Sequence, residues 1–177
     1  MRRLLLLFLS HAASTSNSVA SDSARLFAAV ASGDEAAVRD IVKSLQPAGA
    51  INSQAQPSGA TALHIAAKTG NDVVVQILLD AKADVSMRTK SGLTALHYAA
   101  NSGNAKSVAA LLAAHEDGAS LDSQASSGDS ALHLSAGGGH AAAIRLLAWG
   151  GCNVNLPGAL GATPLHVAAQ GGHSLAV

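Results

Sequence analysis

A four-residue word recurs along the chain: Thr61-Ala62-Leu63-His64, Thr94-Ala95-Leu96-His97, Ser130-Ala131-Leu132-His133 and Thr163-Pro164-Leu165-His166, with successive histidines 33, 36 and 33 residues apart. A fixed period in the thirties means that each unit is one supersecondary module. Such a module cannot bury its apolar face alone and has to stack on its neighbours, so the chain must fold as an array. Function is then to be sought on an extended surface and not in a deep pocket.

Each position of the word has a structural task. Thr61, Thr94, Ser130 and Thr163 stand where a hydroxyl can accept an orphan N–H at a helix start, which makes them N-caps. Pro164 then falls at the first helical position, where its missing N–H costs nothing. Leu63, Leu96, Leu132 and Leu165 begin a buried stripe, and the pairs Ala66-Ala67, Ala99-Ala100 and Ala168-Ala169 are small enough for neighbouring helices to approach closely. Ser135-Ala136 does the same with one polar substitution. A glycine closes the first helix of each unit (Gly33, Gly70, Gly103, Gly139, Gly172), and a second amphipathic helix follows with Val74, Val75, Ile77, Leu78 and Leu79, then Val108, Leu111 and Leu112, then Ile144, Leu146 and Leu147.

Period, helix-turn-helix pattern and the segments Ala83-Asp84-Val85-Ser86, Ala119-Ser120-Leu121-Asp122 and Cys152-Asn153-Val154-Asn155 make residues 22–177 resemble the ankyrin repeat family. The resemblance implies an all-α solenoid of stacked helix-turn-helix units with short β-hairpin-like finger loops, anchored by Val85, Leu121 and Val154. The units fall at about 22–56, 57–89, 90–125 and 126–158, with an incomplete one at 159–177. The first lacks the word and carries Phe27 in place of histidine, as an end unit with no earlier repeat to bond to.

Departures from the pattern are local. Lys82 replaces the glycine after a second helix, where a left-handed backbone costs about 1 kcal/mol. Extra residues near Glu116-Asp117-Gly118 bulge the third unit, and Pro47 lies in a longer first connection. Gly137 and Gly138 end a first helix at about 1 kcal/mol each relative to alanine, so the fourth unit is expected to fray first. The last unit stops at Val177 inside its second helix. This suggests an array drawn from a longer protein.

Residues 1–21 read as a targeting segment or a disordered tail. Arg2 and Arg3 precede the apolar run Leu4 to Leu9 and a serine-rich tract, which fits a short signal peptide, a mitochondrial-type presequence or a non-functional tail. The run is too short to span a bilayer. Cytoplasmic or nuclear placement is expected, with secretion or an organelle as the alternative if residues 1–20 direct export.

Eleven basic and eleven acidic side chains cancel, so no field draws the chain to nucleic acid or an anionic membrane. Aromatic residues make up only 2% of a chain that is 49% hydrophobic, which suits thin, closely stacked helices. Cys152 is the sole cysteine, which leaves no disulfide framework or cysteine zinc cage.

The eight histidines do not suggest a metal. Equivalent positions in stacked helices lie about 8–10 Å apart, against about 2 Å from a zinc ion to its ligands. His64, His97, His133 and His166 are therefore expected to form a ladder that bonds one unit to the next, and His140 and His173 to act likewise. Ser130, Asp129 and His133 cluster in sequence, but no nucleophile elbow surrounds the serine. Gly137-Gly138-Gly139-His140 lacks phosphate-loop spacing. No enzyme activity, cofactor or metal is expected.

What remains is a protein-protein interaction module, a scaffold or adaptor acting as a monomer. The alternative is the recruitment segment of a longer enzyme or channel. The resemblance puts recognition on the concave face, with Gln54, Gln56, Arg88, Lys90, Gln124, Asp129 and Leu160 on fingers, and Lys68, Asn101 and Gln170 on first helices. Running from Arg88 and Lys90 to Asp129, these charges suit an extended partner of mixed charge. Arg88 and Lys90 are expected to serve binding without serving stability. Tyr98 reads as packing, and Trp149 as a cover over the core.

Overall fold

The computed structural model describes residues 21–45, 48–115 and 121–174. The readings placed on residues 1–20, Pro47, Glu116-Asp117-Gly118 and the end of the last unit lie outside these. Nine α-helices are found among the described residues: α1 over 21–32, α2 Glu35–Ser44, α3 Ala62–Thr69, α4 Asp72–Asp80, α5 Ala95–Ser102, α6 Ala105–Ala114, α7 Ala131–Gly137, α8 Ala141–Trp149 and α9 Pro164–Gln170. They pair as α1/α2, α3/α4, α5/α6 and α7/α8, with α9 opening a fifth unit.

The first helices stack in order, α3 on α5, α5 on α7 and α7 on α9, and α2, α4, α6 and α8 form a second layer behind them. The small residues of the repeated pattern permit this. Ala66, Ala67, Ala99 and Ala100 are wholly buried, as is Ser135, whose hydroxyl is satisfied by the Leu132 carbonyl at 3.0 Å. Leu63, Leu96 and Leu132 fill the seam between the layers, with Val74, Val75, Leu78, Val108, Leu111 and Leu147 opposite. Full burial of each such side chain contributes about 1.5–3 kcal/mol.

Second helices are capped by polar side chains: Asp34 accepts the Ala37 N–H at 3.0 Å, Asn71 that of Val74 at 3.1 Å, and Asn104 those of Lys106 and Ser107 at 3.1 and 3.3 Å. His140, at the same place before α8, makes no such bond. Lys82 adopts the left-handed conformation expected of it, with φ 65°.

Three expectations are corrected. Trp149 ends α8 79% exposed and covers no core; Leu165 is 53% exposed, unlike its three counterparts, because no following unit packs on α9 among the described residues. Val154 is likewise exposed, so only Val85 and Leu121 of the three finger anchors are half-buried. The fingers themselves are tight turns closed by isolated bridges, Ala55 to Ala60 and Gln124 to Ser130, and no extended strand is formed among the described residues.

Candidate interaction surface

The repeated histidines cap their own first helices, and His64 and His133 also tie theirs to the following finger. In every copy of the word the cap residue donates its backbone N–H to Nδ1 of the histidine three positions on, at 3.1 Å for Thr61 and Thr94 and 3.2 Å for Ser130 and Thr163. The cap hydroxyl lies 2.7–2.8 Å from the same nitrogen. This is the returning arm of a capping box, made by imidazole in place of the usual Glu or Gln. A backbone N–H can only donate, so Nδ1 is unprotonated and Nε2 carries the hydrogen.

That hydrogen is donated forward. His64 Nε2 reaches the Leu93 carbonyl at 3.1 Å and His133 Nε2 the Ala162 carbonyl at 3.0 Å. The direction corrects the account of Phe27: the histidine bonds to the unit after it, so a first unit lacks nothing by position. Ser23 Oγ, donating to Ser53 Oγ at 2.9 Å, ties the first unit to its own finger. At His97 the forward bond is not made. Its Nε2 is drawn toward the backbone of Asp129 and Ser123, yet it is buried with no acceptor in hydrogen-bond geometry. The interval to the next word is 36 residues there instead of 33. Burial holds the pKa of His64 down, and lowers that of His97 from 6.5 to about 4 against smaller opposing backbone contributions.

A second set of bonds runs backward from the turn between the helices. Asn104 Nδ2 donates to the Gly70 carbonyl, His140 Nε2 to Asn101 at 3.0 Å, and His173 Nε2 to Gly137 at 3.0 Å. His140 lies so close over Gly103 (φ +70°) that a Cβ there would stand 2.5 Å from its Nδ1.

A third ladder joins the fingers, and sequence reasoning missed it. Gln54 Nε2 donates to the Arg88 carbonyl at 3.0 Å, the Arg88 guanidinium to the Gln124 carbonyl, and Gln124 Nε2 to the Pro157 carbonyl at 2.8 Å. Backbone bonds from Lys90 to Ser58 and from Ser126 to Ser91 reinforce it. The signal lay in a polar side chain with a terminal N–H standing just before each finger turn, at 54, 88 and 124. Arg88 therefore does structural work too, which corrects the expectation that it serves binding alone.

The remaining candidates are spread along the array. Lys90 Nζ donates to Gln56 Oε1 at 3.0 Å; Asp129 is half-buried and accepts from Ser127 Oγ at 2.9 Å. Asn101 and Gln170 are exposed on α5 and α9, and Leu160 is fully exposed at φ 55°. Ile65, Tyr98, Leu134 and Val167, one per unit, are half-buried. Tyr98 stands edge-on to His64, centroids 5.7 Å apart at 88°. Between the second and third fingers and the α5 and α7 helices lies an open groove of about 340 Å³, lined by Leu93, His97, Tyr98, Leu134, Ser126 and Ser127 among others.

The chemistry available to these groups is limited by burial. Ser130 and His133 lie 2.8 Å apart but each is 2% exposed, and the Asp129 carboxylate faces Ser127 instead of the imidazole. The Cys152 thiol is buried, and desolvation with the nearby Asp122 pushes its pKa up to about 11. Among the described residues no three His, Cys, Asp or Glu side chains gather around one point, and no helix is long and apolar enough to cross a membrane.

Comparison with known proteins follows the same lines. Residues 26–125 and 116–177 match the family described as ankyrin repeats (3 copies). Over 52 residues the chain is 48% identical to the BTB/POZ domain and ankyrin repeat-containing proteins NH5.1 and NH5.2 of Oryza sativa subsp. japonica. The match covers 28% of this chain and 10% of each relative. Ankyrin repeats generally mediate protein-protein interaction and are typically non-catalytic. With the family's pattern matched over most of its length and its helix pairs stacked through a shared seam, the chain belongs to the ankyrin repeat family.

Proposed function

We propose that this array is a scaffold or adaptor that binds a protein partner along the face formed by fingers and first helices. The observation that carries the reading is the half-buried apolar stripe Ile65, Tyr98, Leu134 and Val167, bordered at Tyr98 and Leu134 by exposed finger hydroxyls. Such a pattern of apolar floor and polar rim is how protein interfaces are built. Gln54, Gln56, Arg88, Lys90, Asn101, Gln124, Asp129, Leu160 and Gln170 supply its polar and apolar margins. Action as a monomer in the cytoplasm or nucleus belongs to the same proposal.

A second reading is favoured by the relatives, which by name combine ankyrin repeats with a BTB/POZ domain and are far longer than the matched stretch. There the array recruits a partner to another domain of a longer protein. Both readings are tested by comparing proteins captured by the full chain and by an Asn101→Glu, Ser126→Glu variant. Loss of specific captures at unchanged thermal stability is the expected result. An identical capture profile from a folded variant would remove the concave face from consideration.

A further inference from the structure

We propose that the groove between the second and third fingers seats an apolar side chain of an extended acidic protein segment, whose flanking carboxylates lie over Arg88 and Lys90. This rests on the binding reading above and names the chemistry of the partner.

The chain is neutral overall, and its second-layer helices carry both signs: Glu35, Arg39, Asp40 and Lys43 on α2, Asp72 and Asp80 on α4, Lys106 on α6 and Arg145 on α8. Arg88 and Lys90 are exposed on the second finger. Their bonds go to neutral acceptors: Arg88 Nε to the Gly92 carbonyl at 3.0 Å and its guanidinium to Gln124, Lys90 Nζ to the Gln56 amide oxygen. The ion pairs found among the described residues, Arg25 with Asp22 and Lys106 with Asp72, involve neither. Asp129, the acid of the neighbouring finger, is half-buried and already accepts a serine hydroxyl. Asp84, on the same finger, accepts from the Ser86 N–H and hydroxyl, so the rim carries two cations that are in no ion pair among the described residues. Hydrogen bonds from them to an arriving carboxylate would join two opposite charges and be stronger than the bonds to neutral acceptors that they make now.

The groove adjoins these cations directly. Lys90 precedes Ser91 and Gln124 precedes Ala125, both of which line it. Its floor is Leu93, Tyr98 and Leu134, with Tyr98 held edge-on by His64. A volume of about 340 Å³ is at the small end of ligand sites. It suits a side chain and a short stretch of backbone. The exposed hydroxyls of Ser126 and Ser127 stand at the edge where an extended backbone would seek partners. A single-stranded nucleic acid is also anionic, but two rim cations and one tyrosine are few for a ligand that depends on many phosphate contacts and stacked bases.

The test is selection from a random peptide display library by the immobilised full chain at physiological ionic strength, followed by affinity measurement on the selected peptides. The peptides should place Asp or Glu within two residues of a Leu, Ile, Met or Phe. The control variant is Arg88→Gln, Lys90→Gln. Glutamine at 88 can still donate to the next finger, as Gln54 and Gln124 do, so the ladder survives while the charge is removed. Binding by this folded variant should weaken at least about tenfold. A pool without acidic enrichment, unchanged affinity for the variant, no selected peptide, or tighter binding of an oligothymidine than of the peptides would each overturn the proposal. A pool lacking acidic bias but weakened by Leu134→Ser leaves the concave binding reading standing. A pool indifferent to both variants sinks the two together.

Discussion

Lowering the pH should destabilise the array through His97 before its carboxylates titrate. In the unfolded chain this imidazole takes its proton near 6.5, whereas in the fold burial lowers the pKa to about 4. Between those values the unfolded state binds a proton that the native state refuses, so stability is intact above pH 6.5 and is lost as pH falls toward 4. The slope is about 1.4 kcal/mol per pH unit, and from pH 7.5 to pH 5 the loss amounts to about 2 kcal/mol for this one group. His64 is displaced in the same direction and adds to it. The cause is geometric as well as dielectric. Nδ1 already accepts the Thr94 N–H at 3.1 Å, so a proton placed there breaks the cap, and Arg88 and His64 add unfavourable charge.

Urea unfolding followed at a series of pH values measures the effect, with the midpoint expected to fall by about 1 M over that range. The informative variant is His97→Gln. Glutamine at the third helical position is an ordinary capping-box partner and does not titrate, so it separates the loss of a proton site from the loss of a cap. Its stability should decline with pH by about 2 kcal/mol less than the wild type over the same interval. Equal pH slopes for the two proteins would refute the assignment of the acid sensitivity to this ring.

Gly103→Ala should lower stability by more than about 1 kcal/mol in thermal or urea melts, because it combines a left-handed backbone with a methyl group against His140; a loss confined to a few tenths would show that the ring moves aside freely. Leu96→Ala, 2% exposed at the centre of the seam, should cost about 2–5 kcal/mol, and a smaller loss in a urea titration would contradict continuous packing there. Cys152 should react with a thiol reagent at neutral pH only as fast as the fold opens, since it is buried and protonated; labelling at the unfolded rate under native conditions would refute that. In hydrogen exchange, the fourth unit, with its glycine-ended α7 and uncapped α8, should lose protection first, and maximal protection there would overturn the expectation.

What the residues disclose depends on whether a position answers to its own unit or to its neighbours. Thr61, Leu63 and His64 are legible because capping, seam packing and the ring's bonds are repeated in register, so the period exposes them. Trp149 and Leu165 differ from expectation because burial depends on what packs against a position, and neither composition nor the repeated word reports that. The orphaned Nε2 of His97 was invisible for a related reason: the local word is unchanged, and only the interval of 36 residues hints that its acceptor is displaced. Arg88 shows the limit from the other side. As an exposed cation on a loop it satisfies every rule for a recognition residue, and only coordinates reveal that it also spans to the next finger.

That double duty constrains how such a surface can change. A finger that projected freely could exchange residues at will, but here positions 54, 88 and 124 each hold the backbone of the finger that follows. Residues able to serve there need a long side chain with a terminal N–H, which admits Gln, Arg and Lys and excludes Glu. Charge at these positions can therefore vary between neutral and positive, whereas a negative side chain would face the next carbonyl and repel it. At exposed sites such as these the bonds are individually weak, so their effect lies in fixing the spacing of the fingers more than in overall stability. Arg88→Met should therefore reduce binding of any partner that spans the second and third fingers, through both lost charge and lost alignment, whereas Arg88→Gln removes the charge alone. Comparing the two against one selected peptide separates the contributions, and equal losses would show that finger alignment plays no part in recognition.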